Sequence, residues 1–332
     1  MLSSATSLPF AASDVDPPAP SARRHLIRLD PREAFCADRI QSFRHTYHEH
    51  PLFELPALAE LAKRLAPTRQ CRFIRRGATQ SSRFHHVAAD PDGRDIDEVF
   101  RRIEEPGSWI SLYNIETEPA YGALLQEIID AMRGVVEPQQ PGVYQVCGYL
   151  FISAPPSVTP FHIDRENNFW LQLRGRKTMS IWDHRDRDVV AAEDVERFVV
   201  RGSLDKVRLD ERFRARARDF DVGPGDGVYF PSTSPHMTRS DPGWTRPGDG
   251  VSISVGVVFY TAVTRRIANA HVVNAVARRF GVRPTEPGLQ AWRDRAKHPV
   301  GRALVWAMNR FRGYEPQMGM LPPEQSMRRL PE

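Results

Sequence analysis

The chain has little cysteine, no long apolar run and no internal repeat, and each lack narrows what it can be. Cys36, Cys71 and Cys147 are its only thiols, widely spaced and without a C-x-x-C pair. That pattern excludes a disulfide framework and a cysteine zinc site, and points to a reducing cytoplasm. No stretch approaches the ~20 apolar residues of a membrane helix. The first ten residues lack the charged and apolar regions of a secretory signal, so export is not expected. G-x-S-x-G, P-loop and dinucleotide fingerprints are also missing. An apolar fraction of 41% and a charged fraction of 26% exclude a wholly disordered, collagen-like or coiled-coil chain.

The formal charge of +5 is unevenly spread. Residues 261–332 hold 13 Lys and Arg against 5 acidic residues, whereas the rest holds 33 against 36. A basic region of this kind can meet nucleic acid or an acidic partner. No helix-turn-helix, zinc-finger or basic-zipper pattern accompanies it, so solvated arginines on helix faces are the reading and nucleic acid is not an expected partner.

Four regions follow along the 332 residues. Residues 1–30, rich in Ser, Ala and Pro, read as a flexible leader. In 31–140 a helix begins at Pro56 with Leu58, Leu61 and Leu65 on one face. Strand-like runs follow at Gln70–Arg75 and Trp109–Ile115, then an amphipathic helix over Pro119–Val135. In 141–262 strands dominate: Val143–Ser153, Phe169–Arg174, Lys177–Asp183, Asp219–Val222, Gly227–Pro231 and Val251–Tyr260. Tight Gly, Pro and Asp turns separate them, with no alternating helices. This predicts a mainly β protein with flanking helices, its core a jelly roll or closed barrel. In 263–332 helices return, carrying Ile267, Val272, Val273, Val276 and Phe280, then Leu304, Trp306, Ala307 and Phe311.

Chemistry is expected first at His162-Ile163-Asp164. Residues i and i+2 of a strand share a face, so His162 and Asp164 can grip one ion. A bare H-x-D triplet proves nothing, and a second one, His184-Arg185-Asp186, reads as strand end and turn. His162 gains weight from Gly225-Asp226-Gly227-Val228-Tyr229-Phe230-Pro231, which leads to His236 as a third ligand from another strand. Two histidines and one carboxylate on one face of a metal, with positions left open, form the triad of non-haem Fe(II) oxygenases. Lys177 opens a strand whose shared face continues as Met179 and Ile181. Buried there it needs a partner, which a dicarboxylic acid would supply; otherwise it reaches solvent from the strand end. His45, His48 and His50 lie close together without a cysteine, and read as a polar helix end. Trp170 and Trp182 read as packing.

The run Thr159-Pro160-Phe161-His162-Ile163-Asp164 through Asn168 and Trp170 to Lys177 resembles the JmjC/cupin-like 2-oxoglutarate oxygenases. It is most similar to the asparaginyl hydroxylase of hypoxia-inducible factor and to bacterial cupin-like relatives, and the likeness covers roughly residues 105–260. It implies a double-stranded β-helix that binds Fe(II) through His162, Asp164 and His236. It also implies that Thr159, Lys177, Asn168 and a tyrosine from an earlier strand, Tyr113, hold or support 2-oxoglutarate. The implied reaction consumes O2, releases succinate and hydroxylates a C–H bond, with no chloride site because Asp164 is kept. Two departures concern the substrate side: Gly256 stands where the asparaginyl hydroxylase has an asparagine, and the loop Met237–Gly250 is longer. A protein or peptide side chain is the expected substrate; a small metabolite or natural product is the alternative. A non-redox cupin, as metal isomerase or binding protein, is the rival from another class. The stripes Val272, Val276, Phe280 and Leu304, Trp306, Phe311 need cover, from the same barrel or from a second copy, and a homodimer through the C-terminal helices is expected.

Overall fold

The computed structural model describes residues 27–30, 33–74, 77–243 and 250–326, so the leader expected over 1–30 lies almost wholly outside the described residues. The strands are β1 (Ile27–Leu29), β2 (Gln41–His45), β3 (Cys71–Phe73), β4 (Trp109–Leu112), β5 (Tyr144–Ser153), β6 (Ser157–His162), β7 (Asn167–Arg174), β8 (Lys177–Ile181), β9 (Arg218–Val222), β10 (Asp226–Phe230), β11 (His236–Ser240) and β12 (Ser252–Tyr260). They form two sheets, one of eight strands ordered β1-β2-β10-β7-β12-β5-β4-β3 and one of four ordered β6-β11-β8-β9. Every pairing is antiparallel. The fold is a double-stranded β-helix, and strands from the N-terminal region extend its larger sheet.

Alternation along β7 shows how the barrel is filled. Phe169, Leu171 and Leu173 point outward into a core shared with helices. Trp170 points between the sheets, where it packs with Met179, Ile181, Val222, Val228 and Phe230. Both faces are covered, so Phe169-Trp170-Leu171 reads as an unbroken apolar run, while Asn168 and Gln172 put polar groups on the inward face. Helices α1 (Leu55–Leu65), α2 (Ile96–Arg101) and α3 (Pro119–Val136) cover the large sheet; α3 buries Tyr121, Leu124, Leu125, Ile128, Ile129 and Met132. Behind the small sheet, α4 (Ala192–Arg201), α5 (Ala262–Arg278) and α6 (Ala291–Arg312) enclose a second core holding Phe161, Trp182, Phe198, Val272 and Val305. A capping box between Thr261 and Thr264 starts α5. The α5–α6 contact is nearly backbone to backbone, since a Cβ on Gly301 would lie 2.2 Å from the Asn269 carbonyl oxygen.

The structure departs from the sequence reading in three places. Helix α4 interrupts a region expected to hold strands alone; its signal is the spacing of Val195, Phe198 and Val199 before Gly202, which ends it in the left-handed region at φ 75°. Strands β6 and β11 escape a hydrophobic-pattern search because their inward residues are polar. The C-terminal stripes are divided rather than continuous. Val272 is 1% exposed and packs with the barrel's outer core, whereas Phe280, Trp306 and Phe311 are 81%, 64% and 72% exposed.

Candidate active site

Strand register assembles the site. His236 of β11 stands opposite His162 of β6, and Thr238 stands opposite Thr159. The register slips by one residue between those two pairs. In a regular strand residues 159 and 162 would face opposite sides, and the bulge turns both inward. Phe161, between them, goes outward to meet Trp182 with ring centroids 5.1 Å apart. β6 ends at His162, so Asp164 lies just past the strand and not within it. Its carbonyl accepts from the Thr233 N–H at 2.8 Å, and Thr233 is held at φ 63°. That contact ties the carboxylate to the loop that delivers His236.

His162, Asp164 and His236 offer ligand atoms that all lie within 4.8 Å of one another. His236 Nε2 is 3.5 Å from Asp164 Oδ2, and the two imidazole centroids are 4.1 Å apart. Nδ1 of His162 faces the Pro160 carbonyl at 2.7 Å, and Nδ1 of His236 faces the Ser234 carbonyl at 3.0 Å. A carbonyl only accepts, so each Nδ1 carries the proton and each Nε2 lone pair is left for a metal. Burial, with the neighbouring His236, lowers the His162 pKa to about 4 and keeps the ring neutral. Phe84 stacks on His162 at 4.4 Å and Phe230 packs against His236 at 4.8 Å. Neither aromatic carries a signal in the sequence; each is recognisable only by where the chain brings it.

Lys177 sits in β8 with a side chain that is 2% exposed. Register places it beside Ser240 and Val222, on the same inward face as Met179 and Ile181. It does not escape to solvent. Burial alone lowers its pKa to about 8, and no carboxylate of the described residues pairs with it. Thr159 accepts from the indole N–H of Trp109 at 3.4 Å across the gap between the sheets.

Asn168 points inward from β7, and its Oδ1 is buried without a hydrogen-bond partner. Gly256, paired with Trp170 on the neighbouring strand, leaves room for that amide, since a Cβ there would lie a tight 3.1 Å from it. Ser254 Oγ and Gln172 Oε1, on the same inward face, are likewise buried and unpartnered. Tyr113 is half-buried beside Tyr149 at 4.9 Å; burial and the Asp164 carboxylate push its pKa up.

The other histidines lie elsewhere. His184 Nε2 meets Asp38 at 3.1 Å, and His45 Nε2 meets the Asp226 carbonyl at 3.1 Å. His50 Nδ1 accepts from the Leu52 N–H to cap a short helix. Trp182 donates to the Phe213 carbonyl at 2.8 Å, the packing role expected of it.

Two imidazoles and one carboxylate with Nε2 and Oδ converging, half the coordination sphere left open, suit Fe(II). Beside them the unpaired Lys177 ammonium and the Ser254 hydroxyl can donate to a bound dicarboxylate, whereas the orphaned Asn168 Oδ1 and Gln172 Oε1 are acceptors. The site fits the two groups together.

The crystal structure of the Escherichia coli ribosomal oxygenase YcfD is similar at 13% identity and a TM-score of 0.43, over 87% of this chain and 70% of that one. The same E. coli protein with cobalt and 2-oxoglutarate gives 14% and 0.41, over 82% and 64%. SnoK, a non-heme alpha-ketoglutarate dependent carbocyclase from nogalamycin biosynthesis, gives 16% and 0.42, over 76% and 89%. No curated protein sequence matches. Residues 130–264 match the family model of the JmjC domain, a span that runs from the end of α3 into α5 and holds the whole triad. The barrel is thus similar to a JmjC domain over that span, about two fifths of the chain.

Proposed function

We propose that the chain is an Fe(II)- and 2-oxoglutarate-dependent dioxygenase that hydroxylates a C–H bond of a protein or peptide side chain. The observation that carries this reading is the pairing of a metal triad with a buried, uncompensated lysine on one inward barrel face. A non-redox cupin has no use for that ammonium, whose burial is costly unless an anion joins it. Iron(II), 2-oxoglutarate and oxygen together supply oxidative decarboxylation to succinate coupled to C–H hydroxylation.

The chain's residues would do the rest. His162, Asp164 and His236 would hold the iron, their rings fixed by the Pro160 and Ser234 carbonyls. Lys177 would take the distal carboxylate of the cosubstrate as a point charge. Thr159 still has its own hydroxyl proton to donate after accepting from Trp109. Asn168 and Tyr113 would support the same pocket. Met179, Ile181 and Trp170 form an apolar wall that excludes water. The peptide class draws support from the likeness to asparaginyl hydroxylases. Succinate release from 2-oxoglutarate with Fe(II), screened against peptide pools and metabolite pools, tests both levels. No release with any pool refutes the oxygenase, and release with metabolites alone refutes the peptide class.

The exposed Phe280, Trp306 and Phe311 support a homodimer through the C-terminal helices, as a second copy is the cover that a self-complementary face recruits.

A further inference from the structure

A second uncompensated cation reaches the barrel interior from the other side of the triad. Arg72 belongs to β3, the edge strand of the large sheet. It pairs with Ser111, which in turn pairs with Phe151, so its side chain shares their inward face. It is half-buried and has no ion pair or hydrogen bond among the described residues.

The groups around it are unsatisfied as well. Tyr113 donates its N–H to the Gln70 carbonyl at 2.8 Å, which sets Gln70 two residues from Arg72 on the same face. Gln70 is 7% exposed, and its Oε1 has no partner. The His86 ring lies 5.3 Å from Tyr113, with Nδ1 buried and unpartnered. Phe84, two residues earlier, is the ring stacked on His162, so the cluster adjoins the metal site. Arg72 stands near enough to oppose the rise that burial and Asp164 impose on the Tyr113 pKa and, after burial, to add to the fall of the His86 pKa. A guanidinium, an amide, an imidazole and a phenol thus gather near the triad, where the carboxylates acting on the phenol are Asp164 and Glu166 and neither pairs with Arg72. Buried polar groups are ordinarily paired, and the N–H donors of the Arg72 guanidinium and the Gln70 amide match a carboxylate.

The cluster shares Tyr113 with the cosubstrate pocket but draws Arg72, Gln70 and His86 from segments other than the β8 that carries Lys177. Trp109 of β4 reaches Thr159 of β6, which places the β3 edge on the β6 side of the triad. Lys177 lies on β8, two strands from β6 in the small sheet. We propose that Arg72, with Gln70 and His86, anchors a carboxylate of the substrate, so that the molecule hydroxylated is acidic close to its reacting carbon. The position of that carbon rests on the oxygenase reading; the carboxylate subsite does not.

The test uses the full chain with Mn(II) and saturating 2-oxoglutarate without oxygen, equilibrated with N-acetyl amides of Asp, Glu, Asn, Gln, Lys and Leu and, separately, with citrate and malate. Retained probes are counted by mass spectrometry. Retention of Asp and Glu at least tenfold over Asn and Gln is expected, lost in Arg72→Gln and partly kept in Arg72→Lys. Retention of citrate or malate instead of the amino-acid probes would mark a free small acid as the source of the carboxylate. The same comparison in a Lys177→Ala background reads Arg72 alone, so a chain that binds neither metal nor cosubstrate sinks the oxygenase reading without touching this one. Equal retention of acids and amides overturns the proposal. So does a loss of 2-oxoglutarate affinity in Arg72→Gln as large as in Lys177→Ala, which would move Arg72 into the cosubstrate pocket.

Discussion

Replacing Lys177 by methionine isolates the cost of holding a charge in the barrel for a ligand. The side chain is 2% exposed, and its pKa falls from 10.5 to about 8 through burial alone. A drop of that size corresponds to about 3 kcal/mol charged against the ammonium at neutral pH. Methionine keeps the length and apolar stem of lysine and removes the charge, so the cosubstrate-free variant should be more stable than the natural chain by up to that amount. The sign follows from the depressed pKa. The unfolded chain holds its proton more tightly than the folded one, so the penalty is full below pH 8. It shrinks as pH rises above 8 and vanishes near 10.5. Urea denaturation at pH 7, 8.5 and 10 should therefore show a gap that narrows with pH. Adding metal and 2-oxoglutarate should reverse the order, because only the natural chain gains binding free energy from the cosubstrate. A Lys177→Met variant that is less stable at pH 7, with a gap independent of pH, would refute the reasoning and show that the ammonium has a partner within the fold.

Other outcomes follow from the same geometry. His162→Ala and His236→Ala should each abolish the absorption bands of bound Co(II), whereas His184→Ala, whose ring pairs with Asp38, should leave them unchanged. Gly301→Val forces a side chain against the Asn269 carbonyl, 2.2 Å from where its Cβ must lie, and should cost about 3 kcal/mol or more in urea unfolding by prising α6 from α5. Light scattering at micromolar concentration should give about twice the 37.8 kDa chain mass, and Trp306→Glu should halve it; a mass of one chain for the natural protein rejects the dimer.

Spacing along the chain singled out His162, Asp164 and His236, whose ligand atoms the fold brings within 4.8 Å of one another, and the apolar strand face marked Lys177, whereas Thr159 was named by the family resemblance alone. The mainly β core between helices was also legible, since alternating and continuous apolar runs record which strand faces are covered. Strands β6 and β11 were not, because an interior built to bind polar groups replaces the apolar signal that marks a strand. The bulge that turns Thr159 and His162 to one side has no signature in composition, only in the register that β11 imposes. Phe84, Gln70, Arg72 and His86 come from a segment distant in sequence, and nothing local marks them. Only pairing of β3 onto β4 sets Arg72 against the barrel interior, and only tertiary packing leaves it there without a counter-charge. A sequence states which groups are present; which of them end up buried and unpaired is decided when the sheets close.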